Sequence, residues 1–425
     1  MNTWNTAAVA RHQRRTVTSL ALAQVFSGIG TGAVVSVGAL LAVDLSGNTA
    51  WGGSVTTILT LGAMLASMPL ARLASARGRR GALVTGLLIA AAGAALMIVA
   101  ASIGSFPVLL AAGLLLGTGS AVNLQARFAA TDLAQPHRRG RDLSFVVWTT
   151  TVGAVAGPNL LGVGENIGKA LSLPQYSGIF VISGAGLLVA ALVLTVGLRP
   201  DPSTVARMMN TDHSATPPRP VRQGFRSTLK ALQGNNRAMS ALVTVMGAHG
   251  IMVALMSVTS VHMDSHGASV TIIGVTISLH IAGMYALSPL VGWLTDIISA
   301  PRMAMTGFVL LVTAAVFAGV GANSHLWVTV GLVLLGLGWC AATIAGAALI
   351  ASSVTSEQRI SVQGVSDTLM SGAGALGGVL AGIGLSTLGY DGLNAAAGIL
   401  AVVVGVIAAI MLRRAPHSTS EASAS

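Results

Sequence analysis

Twelve apolar runs dominate this chain, at about 17–43, 52–71, 81–101, 107–126, 143–163, 179–198, 238–260, 270–294, 303–321, 326–351, 361–386 and 393–412. Each approaches or exceeds the roughly 20 residues a helix needs to cross a bilayer. Lipid offers no partner to backbone N–H and C=O groups, so such runs must bond internally as helices. The expected fold is therefore an all-α polytopic membrane protein with twelve transmembrane helices. Charged residues make up 8% of the chain, against about 25% in a typical soluble domain. The first run follows Arg11, Arg14 and Arg15, but it is longer than a signal peptide and a second run follows at once.

The placement of Lys and Arg orients these helices. Of 23 such residues, all but Lys169 fall in segments that share one side when the runs alternate. Positive segments stay in the cytoplasm, so both termini are expected inside and the 261–269 loop outside. The net charge of +11 is then an orientation signal, and a nucleic-acid partner is not expected. A multi-pass protein of a bacterial cytoplasmic membrane, functional as a monomer in lipid, is the expectation. With one cysteine, Cys340, no disulfide can form within the chain.

The runs divide into a cytoplasmic N-terminus (1–16), a six-helix lobe (17–198), a polar linker (199–237), a second six-helix lobe (238–412) and a tail (413–425). Within the linker, FRSTLKALQ predicts a short interfacial helix with Phe225, Leu229 and Leu232 toward lipid. The two halves echo each other: LLLGTGSAVN (114–123) parallels LLGLGWCAAT (334–343). Repeated six-helix halves with a path between them suit a transporter. No nucleotide loop, G-x-S-x-G or H-E-x-x-H is present, so an enzyme is not expected.

Over nearly its whole length the chain resembles the major facilitator superfamily. After the second run, LARLASARGRR keeps Gly78, Arg79 and Arg80 of that family's cytoplasmic motif but has Ser75 where an acid is usual. The second-half copy keeps Gly292 and Asp296. Gly78 suits a tight turn, the arginines are expected to anchor the loop to the inner leaflet, and Asp296 to face a helix N-terminus and latch the halves. In run five, Gly153, Gly157 and Pro158 match an antiporter-like motif, and Gly157-Pro158 is expected to kink a gating helix. Gly113 stands where proton-coupled members usually carry an arginine.

The mid-membrane polar groups narrow the chemistry. His249 and His280 sit halfway along runs seven and eight, where each needs a partner or an aqueous cavity. Met252 and Met256 share a helix face by their spacing of four, as do His280 and Met284. Runs seven and eight are expected to be neighbours. Thioether and neutral imidazole form a soft donor set suited to Cu(I); scattered methionine is otherwise ordinary apolar filler. Asp367, two turns into run eleven, is expected to cap its helix or to pair with Arg127, Arg139 or Arg359.

Both spacings, on the same two helices, resemble the CcoA-type bacterial copper importers. That resemblance implies Met252, Met256, His280 and Met284 as metal-binding residues, meeting in one midplane cavity. It implies copper entry feeding cytochrome oxidase assembly, with cytoplasmic copper acceptors as partners and copper as substrate, not a resident cofactor. His249, His262, Met263, His266, Met64, Met68 and Cys340 are candidate relay ligands. Relatives of that branch carry riboflavin, and the run-five motif is shared with exporters. An organic solute, moved inward or outward, is therefore the alternative, with Gln24, Thr31, Asn123, Gln125, Trp148 and Asn159 as pocket candidates.

Overall fold

The computed structural model describes residues 6–47, 51, 54–174, 176–210, 224–268 and 270–414. Its first half holds α1 (Thr6–Ser46), α2 (Ser54–Ser102), α3 (Phe106–Ala129), α4 (Arg139–Asn159), α5 (Leu161–Ala170) and α6 (Gly178–Gly197). Two short helices follow, α7 (Pro202–Asn210) and α8 (Phe225–Ala231). The second half holds α9 (Asn236–Ser265), α10 (Val270–Tyr285), α11 (Ser288–Ile298), α12 (Ala300–Val320), α13 (His325–Ser353) and α14 (Ser356–Arg413).

Two of these helices each make two passes. Gly78, at φ 84° and ψ 170°, breaks α2, and Gly389, at φ 70° and ψ 179°, breaks α14. Both lie in the left-handed half of backbone space, where glycine alone avoids a Cβ clash. At Gly78 a Cβ would also collide with the Asp201 carboxylate. Run five is interrupted at Leu160, two residues beyond Pro158, which gives α4 and α5. Run eight is interrupted between α10 and α11, just before Pro289. Pro289 stands in the first turn of α11, where its missing N–H removes no helical bond, so the helix restarts there. With these joins the helices supply the twelve passes that the apolar pattern predicts. The side chains of Gly157, Pro158 and Asn159 lie outside the described set.

Buried apolar side chains form two large cores. One runs from Leu20 to Leu198. The other runs from Leu232 to Ala408 and takes in Met68, Phe128 and Leu143 from the first half. In the first, α1 packs on α4 and α6, and α2 on α3; in the second, α9 packs on α13 and α14, and α12 on α13. Small residues permit the closest approaches: a Cβ on Gly153 of α4 would stand 2.5 Å from Gly28 Cα of α1.

Three expectations change here. The α8 helix forms, but Leu232 is buried, and Phe225 and Leu229 pack on the second core; its apolar face serves protein, not lipid. Arg79 is 1% exposed and pairs inside the protein, so it does not anchor a loop to headgroups. Runs seven and eight barely meet: α10 packs on α13.

Candidate functional site

Three sets of bonds tie the halves together at their basic ends. Asp296 of α11 accepts from Gly140 N at 2.9 Å and Arg141 N at 3.0 Å, the first turn of α4. Four unsatisfied N–H groups and the helix dipole favour a carboxylate there. Gly292, one turn before Asp296, leaves the room: a Cβ there would meet the Gly140 carbonyl. Ser288 Oγ adds a bond to Ser144 O at 3.1 Å. In the second set, Arg79 grips Asp132 through Nε at 2.8 Å and Nη2 at 3.1 Å, and Nη2 also donates to Gln363 Oε1 of α14. In the third, Arg127 of α3 donates Nη2 to Asp367 Oδ1 of α14 at 2.8 Å.

The loop after Ser75 is instead held from the linker. Asp201 accepts from Arg80 N at 2.8 Å, where the chain restarts as helix after Gly78. Nearby, Gln13 Nε2 donates to Asp142 Oδ2 at 2.7 Å. Burial pushes the Asp142 carboxyl up, and the Gln13 bond partly opposes that shift.

Above Arg127, between the halves, lies a cavity of about 360 Å³. Its first-half wall is an amide and hydroxyl network. Gln24 Nε2 donates to Asn123 O at 3.3 Å and lies 3.5 Å from Thr150 Oγ1, while Ser27 Oγ donates to Asn123 Oδ1 at 2.8 Å. Thr31 lines the same wall. The opposite wall carries Tyr285 and Trp339, edge to face at 5.6 Å between centroids. Trp339 Nε1 donates to His249 Nδ1 at 3.0 Å. An indole N–H can only donate, so the His249 Nδ1 lone pair is engaged and a neutral ring carries its proton on Nε2.

The expected ligands are divided by the structure. Met284, His249 and Cys340 line the cavity, as do Gln24, Thr31 and Asn123. Met252 is buried in the second core and Met256 packs against it. His280, on α10, turns toward α13, where its Nδ1 lies 2.7 Å from Leu332 O. Of the four residues expected to meet, Met284 lines this cavity, while Met252 and Met284 are both buried in the second core with Met256 against it, and α9 and α10 touch only slightly. Met64 and Met68 lie against α14 at Gly372 and Gly364. Gln125 bonds Ser67 O at 2.9 Å and pins α3 to α2. Trp148 stacks on Phe145 and is 37% exposed. At the far end of α9, His262 stacks on Tyr390 with centroids 3.8 Å apart and lies 4.1 Å from His266, while Met263 turns into the core.

Sequence reasoning passed over Tyr285, Trp339, Thr150 and Met370, all of which line the cavity. A signal existed for two of them. Trp339 precedes Cys340 in the glycine-rich stretch that repeats between the halves, and Tyr285 follows Met284 at a helix end.

The sequence profile of the Major Facilitator Superfamily matches residues 20–262 and 238–425. The chain belongs to this superfamily. Among superfamily members, an uncharacterised MFS-type transporter of Bacillus subtilis (strain 168), YddS, is 35% identical over 92% of this chain and 89% of its own. The riboflavin transporter RfnT of Brucella anthropi is 26% identical over 96% of this chain and 98% of its own. A crystal structure of a bacterial homologue of the iron transporter ferroportin, in an outward-facing state, superposes with a TM-score of 0.72 over 94% of this chain and 100% of that one. At 14% identity it shares the fold alone. The chain is thus a transporter by family, and the cavity between its halves is where a superfamily member carries its substrate.

Proposed function

We propose that this transporter takes up a small organic solute with a planar aromatic portion and several hydrogen-bonding groups, riboflavin being the nearest named chemistry. The observation that carries this is the two-faced cavity. Tyr285 and Trp339 offer ring surface, while Gln24, Asn123, Thr31 and Thr150 offer amides and hydroxyls opposite. Pockets of roughly 300–1,000 Å³ with apolar walls and a few placed polar groups take small organic ligands, and the volume of about 360 Å³ lies in that range. The likeness to RfnT supports the same chemistry.

A second reading, copper uptake toward cytochrome oxidase assembly across a bacterial cytoplasmic membrane, rests on His280. A carbonyl only accepts, so His280 Nδ1 must donate to Leu332 O. The Nε2 lone pair is left buried and without a partner among the described residues. Metal-binding imidazoles are held this way, by a bond from the other nitrogen. Met284, one turn on, lines the cavity.

Uptake of riboflavin and of copper, measured in parallel in cells lacking the transporter, separates the two. Cells are complemented with wild type, Trp339→Ala or His280→Gln, and protein level is checked by blot. Riboflavin uptake that depends on the transporter and falls with Trp339→Ala supports the organic reading. Copper uptake that falls with His280→Gln, with riboflavin unmoved by the transporter, replaces it.

A further inference from the structure

The ion pair at the cavity floor is oddly made. Arg127 is 2% exposed and Asp367 0%. They share one hydrogen bond, Nη2 to Oδ1, and the same Nη2 reaches Met370 Sδ at 3.5 Å. Arg127 Nε and Asp367 Oδ2 are both buried without a hydrogen-bond partner among the described residues. Guanidinium and carboxylate can bond through two parallel prongs; Arg79 and Asp132 do so one tier away. A buried pair left half satisfied is a poor source of stability, because desolvation is incompletely offset.

Position gives this pair a use. Arg127 lines the cavity, and Asp367 stands behind it. The pair joins α3 of one half to α14 of the other. We propose that Arg127 is the receptor for a carboxylate on the transported solute, and that Asp367 is its resident substitute, released by taking up a proton. This rests on the organic-solute reading and narrows it to a carboxylate-bearing solute, a monoanion unlike neutral riboflavin itself, carried with one proton.

Charge conservation supports the exchange. At rest the site holds Arg127 as a cation and Asp367 as an anion, net zero. A proton from water adds to Asp367 Oδ2, and the solute carboxylate accepts from the guanidinium; the sum is again zero. In a low-dielectric interior an uncompensated charge is costly, so anion and proton enter together. The exchange also removes a bond between the halves, linking occupancy to opening at the basic end. Among the described residues, the other charged or titratable groups facing the pair are His249 from α9, Tyr285 from α10 and Arg79 from α2, with Cys340 of α13 beside Tyr285. Arg79 is engaged by Asp132, and His249 by Trp339.

The test uses purified full-length protein in nanodiscs with two flavin probes, lumiflavin and its N10-carboxymethyl counterpart, which differ by one carboxylate. Binding is read by fluorescence anisotropy, and proton exchange with a pH indicator in weak buffer. Wild type is expected to favour the carboxylate, to take up one proton per anion bound, and to lose affinity for it by about tenfold per pH unit on the alkaline side. Asp367→Asn should keep the preference, free of pH, without proton uptake. Arg127→Gln should abolish the preference while lumiflavin still binds. The double variant Arg127→Gln/Asp367→Asn leaves neither partner's charge stranded at this position, so loss of preference there, with lumiflavin still bound, cannot be assigned to misfolding. Lumiflavin binding with equal affinity for both probes, or a preference that survives Arg127→Gln, overturns this proposal and leaves the organic-solute reading intact. Binding of neither probe, nor of riboflavin, overturns both.

Discussion

Asp296→Ala removes the carboxylate that bridges the first turn of α4. Two hydrogen bonds to a charged acceptor are lost, each worth about 1.5–3 kcal/mol when well buried. Asp296 is partly exposed, and solvent screening reduces such terms severalfold, so about 2 kcal/mol of the closed basic end is at stake. At about 1.4 kcal/mol per decade, that raises the opened population roughly thirtyfold. Cys340, the chain's one cysteine, lines the cavity and reports the opening without engineering. Inside-out membrane vesicles are treated with a membrane-impermeant maleimide, and labelling is followed with time. Wild type should label slowly, Asp296→Ala about tenfold or more faster, and Asp296→Asn in between, since one amide oxygen can still accept. Equal rates in wild type and Asp296→Ala, with melting temperatures unchanged, would refute the claim that this carboxylate holds the halves together.

Further outcomes follow from single contacts. Gly153→Leu forces a side chain into the α1 backbone at Gly28; overpacking costs about 1–3 kcal/mol or more, so the variant should melt lower and transport poorly, while Gly162→Ala, at an open position, should change neither. Trp339→Phe keeps a ring but drops the bond to His249 Nδ1; solute affinity should fall severalfold in a binding assay, less than with Trp339→Ala. Burial raises Asp142, so the folded state favours its protonated form. That contribution is present below the unfolded carboxyl pKa and lost as pH rises through the raised value. Asp142→Asn should therefore melt at or above wild type near pH 7.5, with the difference closing toward pH 4 in a thermal-shift series.

The number of passes and the two-half plan were legible because lipid imposes one rule on every residue of a span. An apolar run of sufficient length must be helix, and alternate loops must carry the arginines. Local breaks were legible for a related reason. Gly78 and Gly157-Pro158 have backbone consequences that do not depend on their neighbours, whereas the break before Pro289 is a finding of the structure. Packing was a different matter. Phe225, Leu229 and Leu232 form one apolar face, but periodicity cannot say whether lipid or protein covers it; here the second core does. Sequence order makes runs seven and eight expected neighbours, yet α10 lies on α13.

The site was half legible, and the division has a physical cause. Helical spacing reports which side chains share a face, not what that face meets. Met252 and Met256 keep their shared stripe and turn it into the second core; Met284 belongs to the same core and also reaches the cavity, with Tyr285 beside it. His280 is mid-membrane and polar as expected, but its partner is the Leu332 carbonyl on a helix some fifty residues later in the chain, at a sequence separation of 52. The Arg127–Asp367 pair spans a separation of 240. Asp367 had three candidate arginines in sequence, each able to neutralise it equally well, because charge complementarity carries no geometry. Only the arrangement of α3 against α14 selects Arg127, and only the arrangement shows that the selected pair leaves a prong of each partner unused. A sequence can therefore nominate a charged residue for function, but the incompleteness of its bonding, which is what makes the pair exchangeable, exists only in the folded chain.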